Sequence, residues 1–98
     1  MLTSFRKIND MPELRKYVNE TLCRSDQLDP DVFELTERKL VRRGTPCGIS
    51  FCLHGPRAVR ITAIWETDRN RVFFYNSTGE RFQQTQLEVS RSLKACLN

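Results

Sequence analysis

Apolar residues recur at helical spacing in one stretch and at strand spacing through most of the rest. Met11, Leu14, Val18 and Leu22 fall three or four residues apart and form one stripe, with Tyr17 at its edge. Arg15, Lys16, Asn19 and Glu20 take the opposite side, so a helix is expected over about 11–24. Asp10-Met11-Pro12-Glu13 reads as its start. Asp10 can accept from the first-turn amides, and Glu13 can reach back as in a capping box. Pro12 stands where an amide has no intrahelical partner to lose.

From Cys47 onward the period changes to two. In Gly48–His54, Ile49, Phe51 and Leu53 point one way while Ser50, Cys52 and His54 point the other. Gly55-Pro56 is a turn pair. In Arg57–Glu66, Val59, Ile61, Ala63 and Trp65 share a face, and Arg60, Thr62 and Ile64 share its reverse. Thr67–Asn70 and Asn76–Gly79 read as hairpin loops, with Gly79 available for a positive φ. Between them Val72-Phe73-Phe74-Tyr75 is apolar on both faces. Glu80–Leu87 returns as a polar strand whose Gln and Thr content suits an exposed edge.

Three stretches are less defined. Residues 31–43 carry helix start and stop signals in Asp29-Pro30, Arg42-Arg43 and Gly44. Yet Val32, Phe33, Leu35, Leu40 and Val41 spread around a helical wheel. The need of the next strand for a partner favours a strand here, with Gly44-Thr45-Pro46 as the turn, and a helix stays open. Residues 1–9 show no period and are expected to be flexible. Glu88–Asn98 fits a short helix with Val89, Leu93, Cys96 and Leu97 on one side, or else a frayed end.

These elements predict a single α+β domain over 1–98. An N-terminal helix packs on a four- to five-stranded antiparallel β-meander, followed by a short C-terminal helix. The inward set is Ile49, Phe51, Leu53, Val59, Ile61, Ala63 and Trp65 against Leu14, Val18 and Leu22. One helix covers one face, and residues 72–75 are apolar both ways, so the second face also needs a cover. The C-terminal helix or a second copy of the chain could supply it.

Composition agrees with this picture. A chain of 98 residues with 39% hydrophobic and 29% charged residues fits one small domain with a real core. No run approaches the roughly 20 apolar residues of a membrane span, so no membrane role is expected. The start, MLTSFRKIND, lacks the apolar region of a signal peptide, and a cytoplasmic location is expected. There the four cysteines would be free thiols. The basic residues are Arg-rich, twelve Arg against four Lys, within a net charge of +4.

Candidate chemistry is sparse. Cys47, Cys52 and His54 are the nearest approach to a metal set, but a four-residue gap separates the cysteines and a strand points them to opposite faces. No metal and no cofactor are therefore expected. Cys52 and His54 share a face at i and i+2, about 6–7 Å apart along a strand, with no third group to orient them. Carboxylates are scattered, and the four glycines form no phosphate loop. The balance leans against an enzyme. The expected function is a small non-enzymatic protein-interaction or regulatory module, self-associating through a sheet face. The alternative is a nucleic-acid-binding domain with a rim of Arg42, Arg43, Arg57, Arg60, Arg69 and Arg71, in which Phe73 and Tyr75 add stacking. A protein partner or homodimer is expected ahead of nucleic acid, because +4 is a weak electrostatic footprint.

Overall fold

The N-terminal helix forms where its stripe placed it. The computed structural model describes residues 2–88 and 91–97, and α1 spans Met11–Ser25. Asp10 caps it by accepting from the Glu13 amide at 2.9 Å. The Glu13 carboxylate reaches back to the Asn9 amide at 2.7 Å, one residue beyond an ordinary capping box. The helix ends in a Schellman turn: the Leu28 amide donates to the Cys23 carbonyl at 2.8 Å and the Gln27 amide to that of Arg24 at 3.3 Å. Gln27 takes φ 56° to make this turn. The predicted stripe is buried, with Leu14, Val18 and Leu22 fully enclosed.

The strands after α1 are β2 (Glu34–Arg42), β3 (Thr45–His54), β4 (Arg60–Glu66), β5 (Arg71–Tyr75) and β6 (Arg81–Leu87). Each pairs antiparallel with the next. Residues 34–42 are thus a strand, and the open choice between helix and strand closes that way. The β2–β3 turn is Arg43-Gly44, with φ of 52° and 79°, rather than Gly44-Thr45-Pro46. Two positive φ angles in a two-residue loop match the right-handed twist of the flanking strands. The β3–β4 connection is longer than the Gly55-Pro56 pair suggested. Pro56–Ala58 forms a short 3-10 turn in which Arg57 and Ala58 take φ 59° and 62°, so β4 begins at Arg60.

A strand also lies in the stretch expected to be flexible. Leu2–Arg6 forms β1, parallel to β6, and completes a six-stranded sheet in the order β1-β6-β5-β4-β3-β2. The α+β architecture stands, with six strands instead of four or five. The added strand also moves β6 from the edge to the interior of the sheet. Its polar residues Gln83 and Thr85 are buried, at 6% and 0% exposure, not displayed to solvent. They are tolerated because they are bonded. The Tyr17 hydroxyl meets Thr85 Oγ1 at 2.6 Å, Ser4 Oγ meets Thr85 Oγ1 at 2.9 Å, and Gln83 Nε2 donates to the Tyr17 hydroxyl at 3.1 Å. This network joins β1, β6 and α1.

The core sits between α1 and one face of the sheet. Cross-strand register sets Ile49 beside Trp65 and Val72, and Phe51 beside Ala63 and Phe74. The small Ala63 between two rings leaves room for the helix. All predicted inward residues are buried except Val59, which is half-buried against the core. Trp65 Nε1 donates to Asn70 Oδ1 at 2.9 Å, and Asn70 Nδ2 donates to the Glu88 carbonyl at 3.0 Å. Asn70, buried at φ 54°, thereby ties the β4–β5 loop to the end of β6. Gly48 is required by close approach, since a Cβ there would collide with the Trp65 carbonyl oxygen.

The C-terminal segment forms α2 (Arg91–Ala95). It does not cover the second face. Leu93 and Leu97 join the same buried cluster as Met11 and Ile49, and Cys96 lines a hollow with Met11 and Ile49 on the α1 side. Val89, the first residue of the expected stripe, lies outside the described residues. Among the described residues both helices therefore share one face, and the other carries none.

Candidate binding face

The helix-free face follows from strand alternation. Where Ile49, Phe51, Leu53, Ile61, Ala63, Trp65, Val72 and Phe74 turn inward, their neighbours turn outward. Register aligns these outward side chains in rows across the sheet. One row runs Thr36, Cys52, Thr62, Tyr75, Arg81, and the next Arg38, Ser50, Ile64, Phe73, Gln84, Thr3. At the centre Cys52, Thr62, Ile64, Phe73 and Tyr75 are only half-buried.

Arginine side chains cover the aromatic rings of this face. The Arg81 guanidinium lies 4.1 Å from the Phe73 ring centre and 5.5 Å from that of Tyr75. Its Nη2 also donates to the Tyr75 hydroxyl at 3.0 Å. The Arg71 guanidinium also lies over the Phe73 ring, at 4.9 Å. A guanidinium over a ring gains from the negative π face and keeps its outer N–H groups free to donate. Arg71 also pairs with Glu66 at 3.5 Å, and the same carboxylate accepts from the Arg69 amide at 3.0 Å. Among the described residues no carboxylate is paired with Arg38, Arg60 or Arg81. The face therefore carries a positive excess, set against Glu34 at a corner and an already engaged Glu66.

The eight residues singled out in the sequence do not form one rim. Successive turns of a meander alternate between its two ends. Arg42, Arg43 and Arg69 lie at one end, where Arg42 meets Asp68 at 3.8 Å. Arg57 and Arg60 lie at the other, with Arg60 in register with His54. Arg71, Phe73 and Tyr75 come together on the outer face, joined by Arg81, which sequence reasoning missed. The reason is a β-bulge between Phe74 and Tyr75 in the β5–β6 pairing. Phe82 is the extra residue and packs against the core beside Phe74, so Arg81 and Gln83 point to opposite faces although they are two residues apart.

His54 Nε2 meets Thr36 Oγ1 at 2.9 Å across the β2–β3 pair. Cys23 is buried beneath the end of α1, with its sulfur 3.8 Å from both Asn19 Oδ1 and the Asp29 carbonyl. Burial, with Asp31 and Asp29 nearby, pushes its thiol pKa up and holds it protonated. Among the described residues no group of three or more His, Cys, Asp or Glu is placed to hold a metal ion. No helix among them is long and apolar enough to cross a membrane. An open groove of about 560 Å³ between α1 and β2 is lined by Arg15, Lys16, Glu20 and Asp31 with Phe33 and Leu35, a mixture of charges without a convergent set. No family model, no curated protein and no solved structure matches the chain.

Proposed function

We propose that the chain is a small non-enzymatic protein-interaction module, that its working surface is the helix-free face of the sheet, and that the segment it takes is acidic. The observation carrying this reading is Arg81. Its guanidinium is fixed over Phe73 and Tyr75 and bonded to the Tyr75 hydroxyl, without a carboxylate partner among the described residues. A cation held in place loses little freedom when an acidic side chain arrives, and its planar fork suits a carboxylate. Farther along the same face, the half-buried Ile64 on β4 and Cys52 on β3 offer apolar contact. Face-to-face association of two copies is disfavoured on the same ground, since it would set Arg38, Arg60, Arg71 and Arg81 against their own kind.

The rival reading, single-stranded nucleic acid on an arginine rim, loses its continuous rim because the basic turns lie at opposite ends. Its stacking platform is also occupied, because guanidinium groups already lie over Phe73 and Tyr75. Fluorescence anisotropy separates the two. A labelled peptide alternating Glu with Leu should bind and weaken about tenfold with Arg81→Gln, whereas a labelled single-stranded RNA of equal charge should bind more weakly. RNA binding that exceeds peptide binding, or peptide binding indifferent to Arg81→Gln, would overturn the proposal.

A further inference from the structure

The open sheet has two edges, β1 and β2, and they are built differently. β2 carries Glu34, Glu37, Arg38, Lys39 and Arg42 along its length, the charged dress that keeps an exposed edge from pairing with another chain. β1 reads Leu2-Thr3-Ser4-Phe5-Arg6. Its single charge, Arg6, is drawn in over the Tyr17 ring at 4.6 Å. Leu2 and Phe5 stand 61% and 78% exposed.

The backbone of β1 is also poised for pairing. The Arg6 carbonyl accepts from the Glu88 amide at 2.9 Å, so the polar groups of Arg6 face β6. In a parallel ladder this alternates, and Leu2 and Ser4 face β6 as well. The N–H and C=O groups of Thr3 and Phe5 are left pointing away from the sheet.

We propose that two copies of this chain pair antiparallel through β1 about a twofold axis at Ser4. In that register Thr3 of each copy lies opposite Phe5 of the other, and the two residues exchange both of their outward backbone hydrogen bonds. Arg6 falls opposite Leu2, so no like charges meet directly. The two Phe5 rings lie diagonally across the new pair on the outer face, within reach of one another. A symmetric contact satisfies all the outward groups of both strands at once, which an unrelated peptide does only by matching this sequence. The product is one continuous sheet whose two outer faces are coplanar. This inference does not depend on the acidic partner proposed above. The contact is small beside the roughly 1,600 Å² of a standard interface, so the dimer should be weak and concentration-dependent.

Sedimentation velocity of the untagged chain from micromolar to millimolar concentration tests it. The wild type should move from monomer to dimer, and the Thr3 and Phe5 amides should gain protection from hydrogen exchange over the same range. Thr3→Pro removes an amide that does not face β6, so the fold should persist by circular dichroism while the dimer is lost. Phe5→Lys should weaken the dimer by about tenfold and leave the fold intact. A monomer at every concentration overturns the proposal. So does a dimer that survives both substitutions, or one abolished by Arg81→Glu and not by Thr3→Pro, which would place the contact on the sheet face.

Discussion

Phe73 and Phe74 are neighbours in β5 and carry the same ring, yet they lie on opposite faces of the sheet. Phe74 is fully enclosed and packs edge-on to Tyr17 at 5.8 Å between ring centres, and beside Phe82 at 6.1 Å. Phe73 is half-buried, and what covers it is the Arg71 and Arg81 side chains. The difference shows how one sheet closes its two faces in different ways. The inner face is closed by helices and carries the core; among the described residues the outer face is closed only by its own side chains, and it is the face proposed to meet a partner. Phe74→Ala should cost about 3–5 kcal/mol, the range for truncating a buried ring. Phe73→Ala should cost about 1 kcal/mol or less, in keeping with a single cross-strand pair, and should weaken acidic-peptide binding instead. Urea denaturation of the two variants side by side checks this. Equal losses would mean that the outer face is a second core.

Polar groups sharpen the contrast. On the inner side each of the buried polar residues Asn70, Gln83 and Thr85 is held by specific bonds. Asn70 is the most committed, because it accepts from Trp65, donates to the end of β6 and sits at φ 54°. Asn70→Ala should cost about 3 kcal/mol, combining lost hydrogen bonds with alanine's poorer tolerance of the left-handed region that asparagine occupies more readily. Asn70→Gly keeps the same bond losses but relieves the backbone, and should recover about 1 kcal/mol of that. If Ala and Gly destabilise equally, the backbone contribution is absent.

How far the sequence carried follows the same division. The inner face was legible almost residue by residue, since Ile49 to Trp65 keep one period and Met11 to Leu22 keep another. β1 was not, because Leu2-Thr3-Ser4-Phe5 has no alternation of its own and becomes a strand only by pairing with residues 83–87 at the far end of the chain. That omission also turned β6 into an apparent edge and its Gln83 and Thr85 into apparent surface. On the outer face Arg71, Phe73 and Tyr75, three of the eight residues expected in one rim, lie together. Arg81 was lost because the bulge at Phe82 inverts the period just there. The wider arginine rim failed for a topological reason: hairpin turns alternate ends, so Arg43 and Arg57, in consecutive turns, stand at opposite ends of the sheet.

The thiols divide by environment. A raised pKa means that the folded chain holds the Cys23 proton more tightly than the unfolded chain does. The associated stability is present in full below the ordinary thiol value of 9.0 and is lost as pH rises through it toward the higher folded value. The stability advantage of the wild type over Cys23→Ala should therefore shrink between about pH 8 and pH 10, a window set by the ordinary thiol range. Denaturation at a series of pH values measures it, and an advantage that stays flat would show that burial does not hold the proton. In native labelling with a thiol reagent the exposed Cys96 should react well before Cys23.

The smallest effect expected comes from the seam where α1 leaves the inner face. Gln27 adopts φ 56° at the position after the helix cap, where the Schellman turn needs the left-handed region and where glycine is the usual occupant. A side chain there brings its Cβ too close to the following carbonyl oxygen, at a cost of about 1–2 kcal/mol. Glycine removes that strain but gives back part of the gain, because a more flexible unfolded chain loses more entropy on folding, about 0.4–1 kcal/mol. The Leu28 amide remains bonded to Cys23 and the Leu28 side chain remains packed on the core in either case. Gln27→Gly should therefore stabilise the protein by about 0.5–1 kcal/mol, read as a higher urea midpoint with an unchanged slope. A lower midpoint would mean that the Gln27 side chain holds the turn by contacts that outweigh its backbone strain.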